Sequence, residues 1–379
     1  MRTFGRVAVL VAALAVLGQA QAGHEPPVYP SYYPQEIRIE PIDPAAAGRA
    51  LTEGRIQAYL GPLDGLPAGA EESSVKFVES LGSYLVVRVN PDAPMAADAD
   101  ARCTLAARAV SALAGAHDGF RFHPYPVNPL HADYLHHFDL AAQAKNRFGA
   151  PAGGGADSLK VRAAGPLAEP IVQARWTPAI GEWDVAVEEI SLDDLMADSR
   201  FGLAGWMGPP WLKAGWFHAW LLLAPALSDD EAQGRAEAML ARLQQADYGS
   251  GEERINLERE LVGLLTGDCR TVVAGYRAQR WYYSDDYSLG VENIGYDSHA
   301  GLLSAIFIRT VKLKDFPWNG WLTLGVPNAP AAAWNPIGGF TDQTGRLISL
   351  ALGDPALFPE PYDARWSLNR IGEVTRAGP

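Results

Sequence analysis

The first 22 residues constrain the fold most, because they set the compartment in which the rest of the chain takes shape. Arg2 and Arg6 give a short basic start, Val7–Leu17 is an apolar run of 11 residues, and Ala20-Gln21-Ala22 closes it with small residues. That order is the pattern of a secretory leader, and the run is too short to cross a bilayer, which takes about 20 apolar residues. The pattern predicts cleavage before Gly23, leaving 357 of the 379 residues, with the mature chain in the periplasm or secreted. In an oxidising compartment Cys103 and Cys269, the two cysteines of the chain, are expected to pair. Such a bridge closes a loop of about 167 residues and is worth about 5 kcal/mol in chain-entropy terms. Neither cysteine sits in a C-x-x-C context, so neither a redox motif nor haem attachment is indicated.

Hydrophobic residues make up 48% of the chain and charged residues 20%, the balance of an ordinary globular protein. The formal charge is −13, and −15 without Arg2 and Arg6. A surface that acidic excludes nucleic acid and anionic membrane as natural partners, since both need a basic footprint.

Along the chain, His24–Pro34 is a proline- and tyrosine-rich stretch that reads as an extended arm. Strands are expected at Glu36–Ile42 and Gly54–Leu60, and two more within Val75–Asn90, turning at Leu81-Gly82-Ser83. Helices are expected over Asp98–Ala114 and Leu130–Arg147. Gly149–Gly155 (GAPAGGG) is the clearest linker-like stretch, so the chain divides into an N-terminal lobe, residues 23–150, and a larger C-terminal part, residues 151–379. In that second part Leu159–Ala163, Pro170–Arg175 and Trp183–Ile190 read as strands, and Leu192–Ala197 as a short helix. Phe201–Leu227 is the most apolar stretch, but Gly208-Pro209-Pro210, Lys213 and His218 interrupt it. It predicts a buried helix near Pro210–Ala224 rather than a membrane span. Amphipathic helices follow at Asp229–Ala246 and Glu252–Leu265. From Thr271 the pattern changes to strands and turns, with Asn319-Gly320 predicting a hairpin between Ile306–Lys314 and Trp321–Val326, and Asp342–Gly345 a second turn. The expected class is α+β, with mixed helices, largely antiparallel strands and a strand-rich C-terminal part, and no transmembrane helix in the mature chain.

Two concentrations of residues could carry chemistry. His131, Asp133, His136, His137 and Asp139 cluster at the second helix, and Asp133 and His137 share a face at i,i+4. The expectation is no required metal and no cofactor, with His131, Asp133 and His137 as the ligand set if an ion binds. The second concentration, Arg280–His299, sets tyrosines and a tryptophan beside carboxylates. Trp281, Tyr283, Asp286, Tyr287 and Glu292 are the expected ligand-binding set, with rings for stacking and carboxylates for orientation. Asp297, Ser298 and His299 are consecutive, and no G-x-S-x-G elbow exists to support a hydrolase triad.

With no recognisable nucleophile, phosphate loop or complete metal motif, these features predict a non-catalytic exported protein that binds a small organic ligand or an envelope partner. Two other classes make different demands. A secreted hydrolase of a glycan or ester would use paired carboxylates such as Asp286 and Glu292. A structural docking protein would use the tryptophans of Trp206–Trp220 against an envelope partner.

Overall fold

The structure, a computed structural model, describes residues 34–70, 74–116, 119–149, 158–197, 209–315, 320–330, 340, 342–353, 356–361, 365–368 and 371–373. The expected leader, nearly all of the proline-rich arm, all but the first residue of the Gly149–Gly155 linker, Trp206 and Asn319 lie outside these residues.

The chain opens with β1 (Glu36–Pro41), α1 (Pro44–Thr52), β2 (Ala58–Tyr59) and the long β3 (Val75–Val89). Next come α2 (Ala99–Ala112), β4 (Phe120–Phe122), α3 (Tyr134–Gly149), β5 (Val161–Ala164), α4 (Ala168–Arg175), β6 (Val185–Ser191) and α5 (Leu192–Ala197). A tight turn at Pro210–Lys213 leads into α6 (Gly215–Leu223), α7 (Asp230–Gln245) and α8 (Gly251–Leu265). The rest comprises β7 (Thr271–Ser284), β8 (Val291–Glu292), α9 (Ala305–Thr310), β9 (Lys312–Leu313), β10 (Trp321–Val326), α10 (Gln343–Leu352), β11 (Leu357–Pro359) and β12 (Trp366–Leu368). Helix takes 41% and strand 23%, an α+β protein.

One eight-stranded sheet organises the fold in the order β1-β10-β2-β7-β3-β6-β5, with β4 also paired to β7. It draws strands from both sides of residue 150. It is mixed: β10 runs parallel to β1 and β2, and β5 parallel to β6, while β7–β3–β6 is antiparallel. Alternation along β3 sorts the core. Leu85, Val87 and Val89 face one side, packed with Leu105, Ala109, Val110 and Cys269. Tyr84 and Val86 face the other, packed with Trp216, Phe217, Leu261 and Val262.

Four local expectations fail for identifiable reasons. Val75–Asn90 is one strand rather than a hairpin: β7 runs beside it throughout, and Gly82 is accommodated as a bulge between Leu81 and Ser83. Pro170–Arg175 is helical, because Pro170 falls in the first turn of α4, where a missing N–H costs nothing. The described flanks of Asn319-Gly320 do not pair with each other as a hairpin. Ala305–Thr310 is helix α9, started by the Ser304 hydroxyl accepting from Phe307 N–H, and β10 buries Leu322, Leu324 and Val326 between β1 and β2. Asp342–Gly345 starts helix α10: the Asp342 carboxylate accepts from Gly345 N–H at 2.8 Å and caps it. The bridge between Cys103 and Cys269 is formed, with Cα atoms 5.0 Å apart. Among the described residues no helix is long and apolar enough to cross a membrane.

Candidate functional site

The site adjoins the bulge at Gly82. Leu81, the last paired residue before the register shift, donates its N–H to Ser298 O at 2.8 Å. The loop Asp297–Gly301 is thereby tied over the sheet. It closes on itself through paired Asp297–Gly301 backbone bonds, and Asp297 Oδ1 accepts from His299 N–H at 2.8 Å and Ala300 N–H at 3.0 Å. Gly301 has φ +56°, and a Cβ there would overlap the Trp281 indole, so the position admits no side chain. Trp281 is held in turn by its indole N–H donating to Ser80 Oγ at 2.8 Å.

Beneath this loop lies a cavity of about 280 Å³. Leu81, Leu212, Met196, Leu303 and Trp281 give it apolar walls, while Gln279, Lys213, Asp297, His299 and Arg346 bring polar groups from separate stretches of chain. Lys213 Nζ donates to Asp297 Oδ2 at 2.8 Å and also to the Glu360 carbonyl, both side chains being buried. An ion pair out of water persists when each partner has further hydrogen bonds, as here.

Behind the cavity wall two imidazoles, His131 and His218, converge on Tyr84, and a third, His299, packs on both. Asn128 backbone N–H donates to His131 Nδ1 at 2.9 Å, so neutral His131 carries its hydrogen on Nε2. Leu212 O accepts from His218 Nε2 at 2.8 Å, which leaves the Nδ1 lone pair of His218 open. The Tyr84 hydroxyl lies 2.8 Å from His131 Nε2 and 2.7 Å from His218 Nδ1, accepting from the first and donating to the second. The result is one unidirectional chain, Asn128 to His131 to Tyr84 to His218 to Leu212, with every group satisfied. Burial is the largest cause holding the imidazoles neutral: it pushes His218 down to about 4 and His131 well below the ordinary histidine range. His299 completes the cluster with its ring 5.0 Å from that of His218, its Nδ1 2.9 Å from Ser298 Oγ, and Nε2 without a hydrogen-bond partner among the described residues.

Of the five residues expected to bind ligand, Trp281 lines this cavity. Tyr283 packs with the apolar cluster around Leu322 and Leu324. Asp286 serves its own turn, accepting from Ser288 and Leu289 N–H at 2.9 Å each. Tyr287 is 89% exposed, and Glu292 points to solvent from β8. Asp286 and Glu292 therefore do not face this cavity. Ser298 and His299 are in hydrogen-bond reach, but the Asp297 carboxylate is bound to backbone N–H groups and Lys213, so it does not orient the imidazole. Trp216 is 2% exposed inside the core, with Trp211 and Phe217 packed on it. The expected metal trio is split. His131 belongs to the Tyr84 chain, while Asp133 and His137 meet Glu258 from α8. Glu258, His218, Lys213 and Tyr84 escaped the sequence reading as site residues. Lys213 and His218 left one signal, as polar interruptions of the most apolar stretch.

No protein-family model and no curated protein matches the chain. Solved structures do. A structure of HbpA2 from Haemophilus parasuis matches with TM-score 0.40 and 14% identity, over 72% of this chain and 57% of that one. The oligopeptide-binding protein AppA from Bacillus subtilis, in complex with a nonapeptide, matches with TM-score 0.36 and 14% identity, over 72% and 58%. The ABC transporter-associated periplasmic binding protein DppA from Helicobacter pylori, in complex with the peptide STSA, matches with TM-score 0.37 and 13% identity, over 72% and 56%. The chain thus spans little more than half the length of the structures it matches.

Proposed function

We propose that the chain is an exported, non-catalytic binding protein that takes a compact organic ligand in the cavity under the Asp297–Gly301 loop. The observation that carries this reading is the cavity itself: apolar walls that include Trp281, with a few polar groups converging from separate segments. Its volume of about 280 Å³ sits at the lower end of small-molecule sites, roughly 300–1,000 Å³, and favours a small occupant over a long peptide. Trp281 supplies a ring face, and Gln279, Arg346 and the Lys213–Asp297 pair supply orientation. Export rests on the N-terminal pattern and on the cysteine pair, which the structure joins.

A hydrolase reading has one observation in its favour, the 2.9 Å approach of Ser298 Oγ to His299 Nδ1. Among the described residues no carboxylate is bonded to that imidazole to complete an activated nucleophile.

The experiment is mass spectrometry of small molecules released by denaturing full-chain protein purified from the envelope of its host. Wild type should release one compound near one equivalent, and Trp281→Ala at least tenfold less. Absence of any compound from wild type, or equal yields from both proteins, contradicts the proposal. So does ester or glycoside turnover that disappears in Ser298→Ala.

A further inference from the structure

The structure assigns a second site, independent of the cavity. We propose that Asp133, His137 and Glu258 form a binding site for one zinc ion that clamps the start of α3 to α8. Asp133 immediately precedes α3, where its carbonyl accepts from His136 N–H, and His137 follows one helical turn later. Glu258 comes from the middle of α8. One ligand atom from each lies within 4.8 Å of the others, and His137 Nε2 is 3.9 Å from Asp133 Oδ2. In tetrahedral zinc sites with bonds of about 2.0–2.1 Å, neighbouring ligand atoms are about 3.4 Å apart. Binding therefore asks for an inward movement of about 1 Å, within the reach of side-chain torsions.

Two orphaned atoms point to a cation rather than to packing. His137 is 0% exposed and Glu258 1%, yet His137 Nε2 and Glu258 Oε2 have no hydrogen-bond partner among the described residues. The Tyr125 hydroxyl, 3.0 Å from His137 Nδ1, fixes the imidazole: with Nδ1–H donating to that oxygen, Nε2 turns a lone pair on the two carboxylates. Three lone-pair donors facing one another out of water repel, and a divalent ion at their centre satisfies all three. The outer contacts are already those of a metal centre. Asp133 Oδ1 and Oδ2 accept from Gly215 N–H at 2.7 Å and Trp216 N–H at 3.1 Å, and Arg254 donates to Glu258 Oε1 at 2.6 Å. His136 offers a fourth nitrogen, with Nδ1 3.5 Å from Glu258 Oε2, and its side chain is 31% exposed, which gives an ion a route in from solvent.

The other group of imidazoles does not compete. His131 Nδ1 is engaged by Asn128 N–H, so its Nε2 presents a hydrogen rather than a lone pair to its neighbours.

The test uses untagged full-chain protein dialysed against a chelator and then titrated with zinc sulfate, followed by calorimetry and elemental analysis. Wild type and His299→Ala should each bind one equivalent. His137→Ala and the near-isosteric Glu258→Gln should each bind at least tenfold more weakly, and Tyr125→Phe, which keeps all ligands, about 10- to 100-fold more weakly. Cobalt(II) in wild type should give the visible absorption of a low-symmetry four-coordinate ion, absent in Glu258→Gln. The proposal falls if wild type binds no stoichiometric zinc, or if binding survives Glu258→Gln and disappears in His299→Ala.

Discussion

Histidines at the centre of this molecule work as neutral groups, and the hydrogen-bond directions show why. His218 must donate from Nε2 to Leu212 O and accept at Nδ1 from Tyr84, whose oxygen already accepts from His131. A proton on His218 Nδ1 would set two donors against that one oxygen with no solvent to relieve them. Burial has accordingly pushed His218 down to about 4, from 6.5 in the open chain. The unfolded chain therefore takes up this proton first as pH falls. Stability is at its full value above about 6.5 and is lost progressively as pH falls through 4, by roughly 3 kcal/mol for this group. Urea unfolding at stepped pH should show that decline, with a shallower slope in His218→Asn; equal stability at pH 7 and pH 4.5 would contradict it. Part of this was legible in the sequence. The i,i+4 spacing of Asp133 and His137 does put them together, but His131 belongs to the turn before α3 and faces another way. Their partners Glu258, His218 and Tyr84 lie 47 to 134 residues from the groups they meet, a separation over which one sequence carries no contact signal.

At the scale of elements, sequence reading succeeded where an amphipathic period is self-contained: the helices expected over Asp98–Ala114, Asp229–Ala246 and Glu252–Leu265 form as α2, α7 and α8. In the structure Asp98, Asp229 and Ser250 cap them by accepting from first-turn N–H groups. Sequence reading failed where a neighbour decides the outcome. Gly82 and Asn319-Gly320 are turn signals in isolation, yet a continuous β7 converts the first into a bulge and the parallel docking of β10 overrides the second. Gly275 in β7 is a case in which the close approach of a third strand excludes a side chain. β4 pairs there through Phe122, and a Cβ on residue 275 would overlap the Arg121 carbonyl and sit 2.6 Å from the Phe120 ring. Gly275→Ala should therefore destabilise by about 1–3 kcal/mol, the usual cost of overpacking. Gly234 in α7 has nothing within 4 Å of its missing Cβ, so Gly234→Ala should stabilise by about 0.5–1 kcal/mol. Urea midpoints of the two variants moving in the same direction would show that the β4–β7 approach is not what constrains residue 275.

For the whole molecule, the long covalent link between Cys103 in α2 and Cys269 just before β7 matters most. It spans 166 positions, so nearly half of the chain is enclosed in one loop. Compartment chemistry made this pairing legible from the sequence, whereas the order of the sheet, in which β3 from before that loop lies beside β7 from after it, was not. The native seam does not depend on sulfur alone. Arg102 donates to Asp268 at 2.7 Å beside the bridge, and Cys269 is buried against Leu105 and Val110. Replacing both cysteines by alanine should then leave the folded state in place and act mainly on the unfolded one, where an open loop of this length gains about 5 kcal/mol of conformational freedom. Two readouts follow from that origin. The urea midpoint should fall, and the dependence of stability on urea should steepen, because a denatured chain without the bridge expands and exposes more surface. A fall in midpoint with an unchanged slope would place the effect in the folded state instead, as a loss of packing at the α2–β7 seam.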